Sequence, residues 1–366
     1  MRKYAVLVAC VALCLAAGCK KQKETGNDTQ AEPAAKTTEP SPPAPATAPA
    51  AQPEQPKAAS AQDKVEFYQG CIAALNARDW DKFGGCYAED TETNFVDAED
   101  GQLKGRADTV DKGSKVMADA FPDIKVTPQV ILQSGDKIAA ITFLSGTQTK
   151  PLKASGGELP PTNKKVGLYS LHLVQLASDK LEVAKSWSVM DEASFAGQLG
   201  LIEAPHRPAE AKGFADKPTV VTGDPEGAAE KANAVAYKKA LDGLEKHDFK
   251  AWLDLLADSA VLHDAAMPGE SNKKKSEAFA KEVAKGFPDG KVEPVDVWAA
   301  GDYVVAVSRH TGTNKGPMPS MHIKKPTNKP VSFTRANIMR FENGKVVESW
   351  SFWNSGSVAQ QLGLGS

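Results

Sequence analysis

The chain has 366 residues, 41% of them hydrophobic, with a formal net charge of −2. A near-neutral balance with no long basic stripe excludes the electrostatic footprint of a nucleic-acid binder. The length allows two ordinary domains after the N-terminal segment, each able to bury its own core.

Met1-Arg-Lys3 is a short basic start ahead of an apolar run from Tyr4 to Gly18. That run is too short to span a bilayer and has the form of a secretory h-region, so 1–18 reads as a signal peptide. It ends in Leu15-Ala-Ala-Gly-Cys19, which resembles the lipobox of bacterial lipoproteins. The resemblance implies cleavage before Cys19 and a lipid on its thiol, making the membrane a partner. An ordinary signal with an incidental cysteine is the alternative. Lys20 in place of Asp implies, by the same resemblance, the outer membrane if the host is Gram-negative. The expected location is therefore the cell envelope.

Residues 19–61 hold almost no large apolar side chain and are rich in Pro, Ala, Thr, Gln and Glu. Such a segment cannot bury enough surface to offset its ordering entropy, so a disordered tether is expected. Its reach runs from roughly 35 Å as a coil to roughly 130 Å fully extended. Cys10 and Cys14 leave with the signal, and Cys71 and Cys86 remain in the body. In an oxidising compartment these two can form a disulfide; two reduced thiols are the alternative.

The body repeats itself. Tyr68, Ile72 and Leu75 recur at helical spacing, as do Tyr237, Leu241 and Leu244. A second short helix follows in each half. Ala120-Phe-Pro-Asp123 answers Gly286-Phe-Pro-Asp289, where proline stops a third helix. Next come strand hairpins around a Ser-Gly-Asp turn at 134–136 and an Ala-Gly-Asp turn at 300–302. Pro161-Thr-Asn-Lys164 answers Pro326-Thr-Asn-Lys329. Each half closes with two more strands and a Trp-to-Leu stretch, Trp187…Asp191…Gln198-Leu-Gly-Leu201 and Trp350…Asn354…Gln361-Leu-Gly-Leu364.

Helices followed by strands make an α+β pattern. We expect two tandem cone-shaped domains, 62–204 and 226–366, joined by a linker over 205–225. Each would pack three helices on a curved, mainly antiparallel four-stranded sheet. The order and spacing of these motifs, found twice, resemble the SnoaL-like polyketide cyclases of the nuclear-transport-factor-2-like superfamily. The carriers are Phe-Pro-Asp, the Gly-Thr pairs at 146–147 and 312–313, Pro-Thr-Asn-Lys, and Trp…Gln-Leu-Gly. Members commonly pair through their sheets, so the resemblance implies an intramolecular pseudo-dimer of the two domains.

The resemblance also implies cofactor-free, metal-free chemistry, with a pocket Asp as general acid and base in an aldol ring closure. Desolvation inside an apolar cone raises a carboxyl pKa toward neutrality and suits it to that task. The family's Asp maps to Asp191 in the first half, with His172 as a second catalytic candidate. At Asp191's position the second half has Asn354, which cannot take up a proton at neutral pH. His263, His310, Asn354, Trp187 and Trp350 are the candidate ligand-binding residues. For each there is a plainer reading, a core or surface strand residue. His263, Asp264, His310 and His322 lack tight ligand spacing, so no metal site is expected.

Three functions stay open on sequence alone. The first is an envelope lipoprotein that binds a small, largely apolar molecule. The second is a cofactor-free cyclase or isomerase acting through Asp191. The third is a non-catalytic interaction platform. Asp191 and Asn354 also stand where a helix N-cap belongs, and Gly200 and Gly363 where a helix C-terminal glycine belongs. The exchange of Asp for Asn destroys an acid but preserves a cap.

Overall fold

The computed structural model describes residues 59–99, 101–154, 157–203, 217–267 and 269–364. Cys19 and the segments expected as signal peptide and tether, as far as residue 58, lie outside these residues. The first repeat runs α1 (Ala61–Ala77), α2 (Trp80–Gly84), β1 (Tyr87–Phe95), β2 (Gln102–Lys104) and α3 (Arg106–Asp108). A π-helical turn over Thr109–Ser114 then leads into α4 (Lys115–Ala120). After these come β3 (Lys125–Ser134), β4 (Lys137–Thr147), β5 (Leu152–Ala154), β6 (Gly157–Leu159), β7 (Lys165–Leu176), β8 (Val183–Val189) and α5 (Glu192–Leu199). A further strand, β9 (Thr219–Gly223), precedes the second repeat. That repeat comprises α6 (Ala228–Glu245), α7 (Lys250–Leu255), β10 (Leu256–Asp264), β11 (Ser271–Asn272), α8 (Lys273–Gly286), β12 (Lys291–Ala300), β13 (Tyr303–Thr313), β14 (Pro330–Glu342), β15 (Lys345–Phe352) and α9 (Ser355–Leu362).

The fold is α+β, with one mixed sheet in each repeat. The first sheet has the order β2-β1-β8-β7-β4-β3-β9 and the second β11-β10-β15-β14-β13-β12. Each is wider than the four strands expected. The added strands β1 and β10 pair in parallel with β8 and β15. Their acidic, half-exposed residues hide the strand from a reading based on apolar alternation. The segment expected as linker also holds a strand: β9, rich in β-branched residues, pairs in parallel with β3 and covers the edge of the first sheet.

Helices lie across one face of each sheet, and the two sheets share the other. In β4, Ile138 and Ala140 join a core with Val65, Tyr68 and Ile72 of α1. Their neighbours Ala139 and Ile141 join a core containing Val305, Ile338, Trp350 and Phe352 of the second repeat. In β13, Val304 and Ala306 pack with Tyr237 and Leu241 of α6, while Tyr303 and Val305 enter the core shared between the sheets. A strand covered on both faces loses its polar alternation, which is why Ile138–Ile141 of β4 and Tyr303–Val307 of β13 are unbroken apolar runs.

The repeated motifs are joints of this frame. The Asp123 carboxylate accepts from the Thr147 N–H at 2.6 Å and the Thr147 hydroxyl at 2.9 Å, and Asp289 accepts from the Thr313 N–H at 2.8 Å. Phe-Pro-Asp thus locks the helix end to the end of the long strand. A Cβ on Gly146 would come within 2.9 Å of the Ile124 Cα, so only glycine permits that approach. Asn163 and Asn328 take left-handed backbone angles, φ 55° and 57°, in the Pro-Thr-Asn-Lys turns. These turns lay Lys164 and Lys329 over Gly200 and Gly363, at the carbonyl ends of α5 and α9 where a cation is favoured. Gln198 clamps both backbone groups of Gly167 on β7, and Gln361 does the same to Ser332 on β14. Cys71 and Cys86 are joined as a disulfide, with Cα atoms 6.0 Å apart.

Candidate functional site

Alternation along the second sheet sets its inner face. Ser308 pairs with Arg335 and His310 with Phe333 across β13 and β14, and Ser351 pairs with both Asn337 and Asp264. These seven side chains line a cavity of about 1610 Å³, closed by Tyr237 and Leu241 of α6, Phe279 and Val283 of α8, and Val358 and Leu362 of α9. The walls are mainly apolar and the polar groups gather at the sheet, the usual composition of a small-molecule site.

Asp264 is the centre of that polar floor. Its Oδ2 lies 2.9 Å from Arg335 Nη2, and Trp353 Nε1 donates to the carboxylate at 3.0 and 3.2 Å. The Ala266 N–H donates to Oδ1 at 3.0 Å. Burial raises the Asp264 pKa, and the Arg335 charge and the two N–H donors reverse this in part. Arg335 also donates from Nε to the Ser351 hydroxyl. His310 stacks on Phe333 with ring centroids 5.1 Å apart, and its Nε2 is 3.0 Å from Ser308 Oγ. Burial, helped by Arg335, lowers its pKa to about 3, so the imidazole is neutral and offers one donor and one acceptor.

The first repeat is filled by comparison. Its cavity measures about 190 Å³ and is lined by His172, Trp187 and Glu192 among others. Burial lowers the His172 pKa to about 4, and its Nδ1 is 3.2 Å from the Tyr68 hydroxyl. One position illustrates the difference. Leu144 packs against both inner clusters of the first repeat and bridges them. Its equivalent, His310, is polar, stacks on Phe333 and lines the large cavity.

Asp191 and Asn354 hold helices. Asp191 is 1% exposed and caps α5, accepting from the Ser194 N–H at 2.8 Å. Its other oxygen accepts from the Ser355 N–H and hydroxyl of the second repeat at 2.8 and 2.6 Å. Asn354 caps α9, accepts from the Ser357 N–H at 3.1 Å and donates to the Asp97 carbonyl at 3.3 Å. Asn354 also reaches the first cavity from the opposite repeat. His263 borders the large cavity, yet its ring stacks on Trp350 at 5.4 Å and its Nε2 meets Glu348 at 3.1 Å. Trp350 belongs to the core between the sheets, so this pair faces away from Asp264, the next residue on β10. His172, Trp187 and Asp191 are thus not brought together with His310, and neither is the His263–Trp350 pair.

Arg335, Ser308, Ser351 and Glu192 escaped the sequence reading. Arg335 was within reach of it. It shares strand parity with Phe333, and the repeat has Ser170 at the same place. Glu192 is 5% exposed, its Oε1 has no hydrogen-bond partner, and burial raises its pKa to about 7, with Asp191, Asp97 and Glu99 adding to the rise.

A profile of the SnoaL-like polyketide cyclases matches residues 63–199 and again 234–362. These stretches make up most of the chain, and the protein belongs to that family. No curated protein matches it. Among solved structures it is similar to AclR from Streptomyces galilaeus, at 22% identity over 37% of this chain and 97% of that one, with a TM-score of 0.34. IdmH from Streptomyces antibioticus is 22% identical over 36% of this chain and 98% of its own, TM-score 0.32. TsrD from Streptomyces laurentii is 17% identical over 37% and 96%, TM-score 0.33.

Proposed function

We propose that the chain is an envelope-anchored lipoprotein that binds a small, largely apolar molecule in its second repeat. The observation that carries this is the contrast between a cavity of about 1610 Å³ there and one of about 190 Å³ in the first repeat. Apolar walls would hold the body of the ligand, and Arg335, His310 and Ser351 would fix one polar end. The two repeats act as an intramolecular pseudo-dimer, a reading supported by the core their sheets share. Anchoring through Cys19 rests on the lipobox resemblance, and a Cys19→Ser chain recovered in the soluble fraction is its expected consequence.

The cyclase or isomerase alternative loses support at Asp191, whose two oxygens accept from Ser194 and Ser355. A platform role suits the first repeat, whose interior is largely filled. Native mass spectrometry of the full chain released in detergent tests the main reading. A bound small-molecule mass that co-purifies in stoichiometric amount supports it, and bare protein in every preparation overturns it.

A further inference from the structure

We propose that the ligand site of the second repeat is composite, with the first repeat supplying an apolar lip at Leu201 and Ile202. This rests on the second-repeat cavity being the ligand site. Leu201 and Ile202 line that cavity, together with Ala193, Glu99 and Glu203 of the first repeat. The reverse contribution is slight, since Asn354 alone of the second repeat's described residues lines the small first cavity. The asymmetry gives the nearly filled first repeat a task, which is to complete its neighbour's site.

The lip is held by structure already on both sides of it. Gly200 turns the chain out of α5 with φ 71°, and the Leu201 N–H donates back to the Ala196 carbonyl at 2.9 Å. Leu201 then packs partly on the Phe121–Phe195 core of the first repeat, which leaves Ile202 as the freer apolar side chain. At the other end of α5, Asp191 ties the helix to Ser355 at the start of α9. The helices meet so closely there that a Cβ on Gly356 would sit 3.2 Å from the Ala193 nitrogen. α9 itself forms one wall of the cavity through Val358 and Leu362. The Asp191–Ser355 joint therefore fixes the lip relative to that wall.

The test is fluorescence titration of the full chain with Nile red, a flat neutral dye, on wild type and two variants. Asn337→Trp projects an indole into the cavity from the half-buried centre of β14 and is expected to weaken binding at least about tenfold. Ile202→Glu places a charge on the lip and is expected to weaken binding about fivefold, with an unchanged melting temperature. Ile202→Leu is expected to restore wild-type affinity. If Asn337→Trp abolishes binding while Ile202→Glu leaves it intact, the cavity stands and the composite site is overturned. If the wild-type chain does not bind the dye, the reading of the cavity as a ligand site fails, and the lip with it.

Discussion

The Asp191 carboxylate of the first repeat accepts two hydrogen bonds from Ser355 of the second, at 2.8 Å from its main-chain nitrogen and 2.6 Å from its hydroxyl. The same side chain caps α5 through Ser194. Asp191→Asn keeps one acceptor oxygen and turns an NH2 toward groups that also donate, so the cap or the inter-repeat link is lost. A cost of about 1–2 kcal/mol is expected in denaturant unfolding, with Nile red affinity lowered by no more than the roughly fivefold expected of Ile202→Glu, since the joint only positions the lip. A large loss of dye affinity at unaltered stability would return Asp191 to the ligand site.

Glu192 makes stability fall as pH rises. Its folded pKa, raised to about 7 chiefly by burial, lies above its ordinary value of 4.5, so the folded chain holds the proton more tightly than the unfolded chain. The carboxylates of Asp191, Asp97 and Glu99 face it and push the same way. Its contribution is therefore complete below about pH 4.5 and is lost as pH climbs through about 7. Glu192→Gln should flatten this limb and gain up to about 3 kcal/mol at pH 8. Wild-type and variant stability curves that run parallel from pH 5 to 8 would sink the assignment.

His172 and His310 act in the opposite sense. Burial holds their folded pKa values at about 4 and about 3, below the ordinary 6.5, so the folded chain keeps both rings neutral. Their contribution is present above about pH 6.5 and is lost as pH falls toward those values. Proton NMR should find both rings uncharged at pH 5. His172→Asn, which copies Asn337, is expected to shallow the acid limb of the stability curve.

Asp264 and Arg335 form a largely buried pair, with side chains 22% and 26% accessible. Asp264→Ala leaves the guanidinium uncompensated and strips Trp353 Nε1 of its acceptor, so a loss of about 3 kcal/mol is expected. Asp264→Asn keeps an acceptor for Trp353 and should lose less. Equal losses from the two substitutions in equilibrium unfolding would show that the charge of Asp264 is irrelevant to the floor.

The fold was legible because its joints are local and occur twice. Phe-Pro-Asp, Pro-Thr-Asn-Lys and Gln-Leu-Gly each mark one bond, turn or cap, and each bond is present in both repeats. β1 and β9 were missed since both are half-exposed and lack strict apolar alternation, β9 at the sheet edge and β1 one strand in from it. The site was harder to read. Alternation assigns Ser308, His310, Phe333 and Arg335 to one face, yet it does not say which face meets the helices. Nor does it reveal that the Leu144 of the first repeat's inner core is answered by a cavity-lining His310 in the second. The entry of Leu201 and Ile202 into the other repeat's cavity depends on how α5 and α9 meet, which no single segment encodes.

Locating Nile red in a co-crystal of the full chain tests the central claim most directly. One dye molecule is expected in the second repeat, within about 4 Å of Phe333, Trp353 and His310, with Ile202 at its edge and the first repeat's cavity empty. Dye found instead in the first repeat's cavity, or bound only on the outer surface, would contradict it.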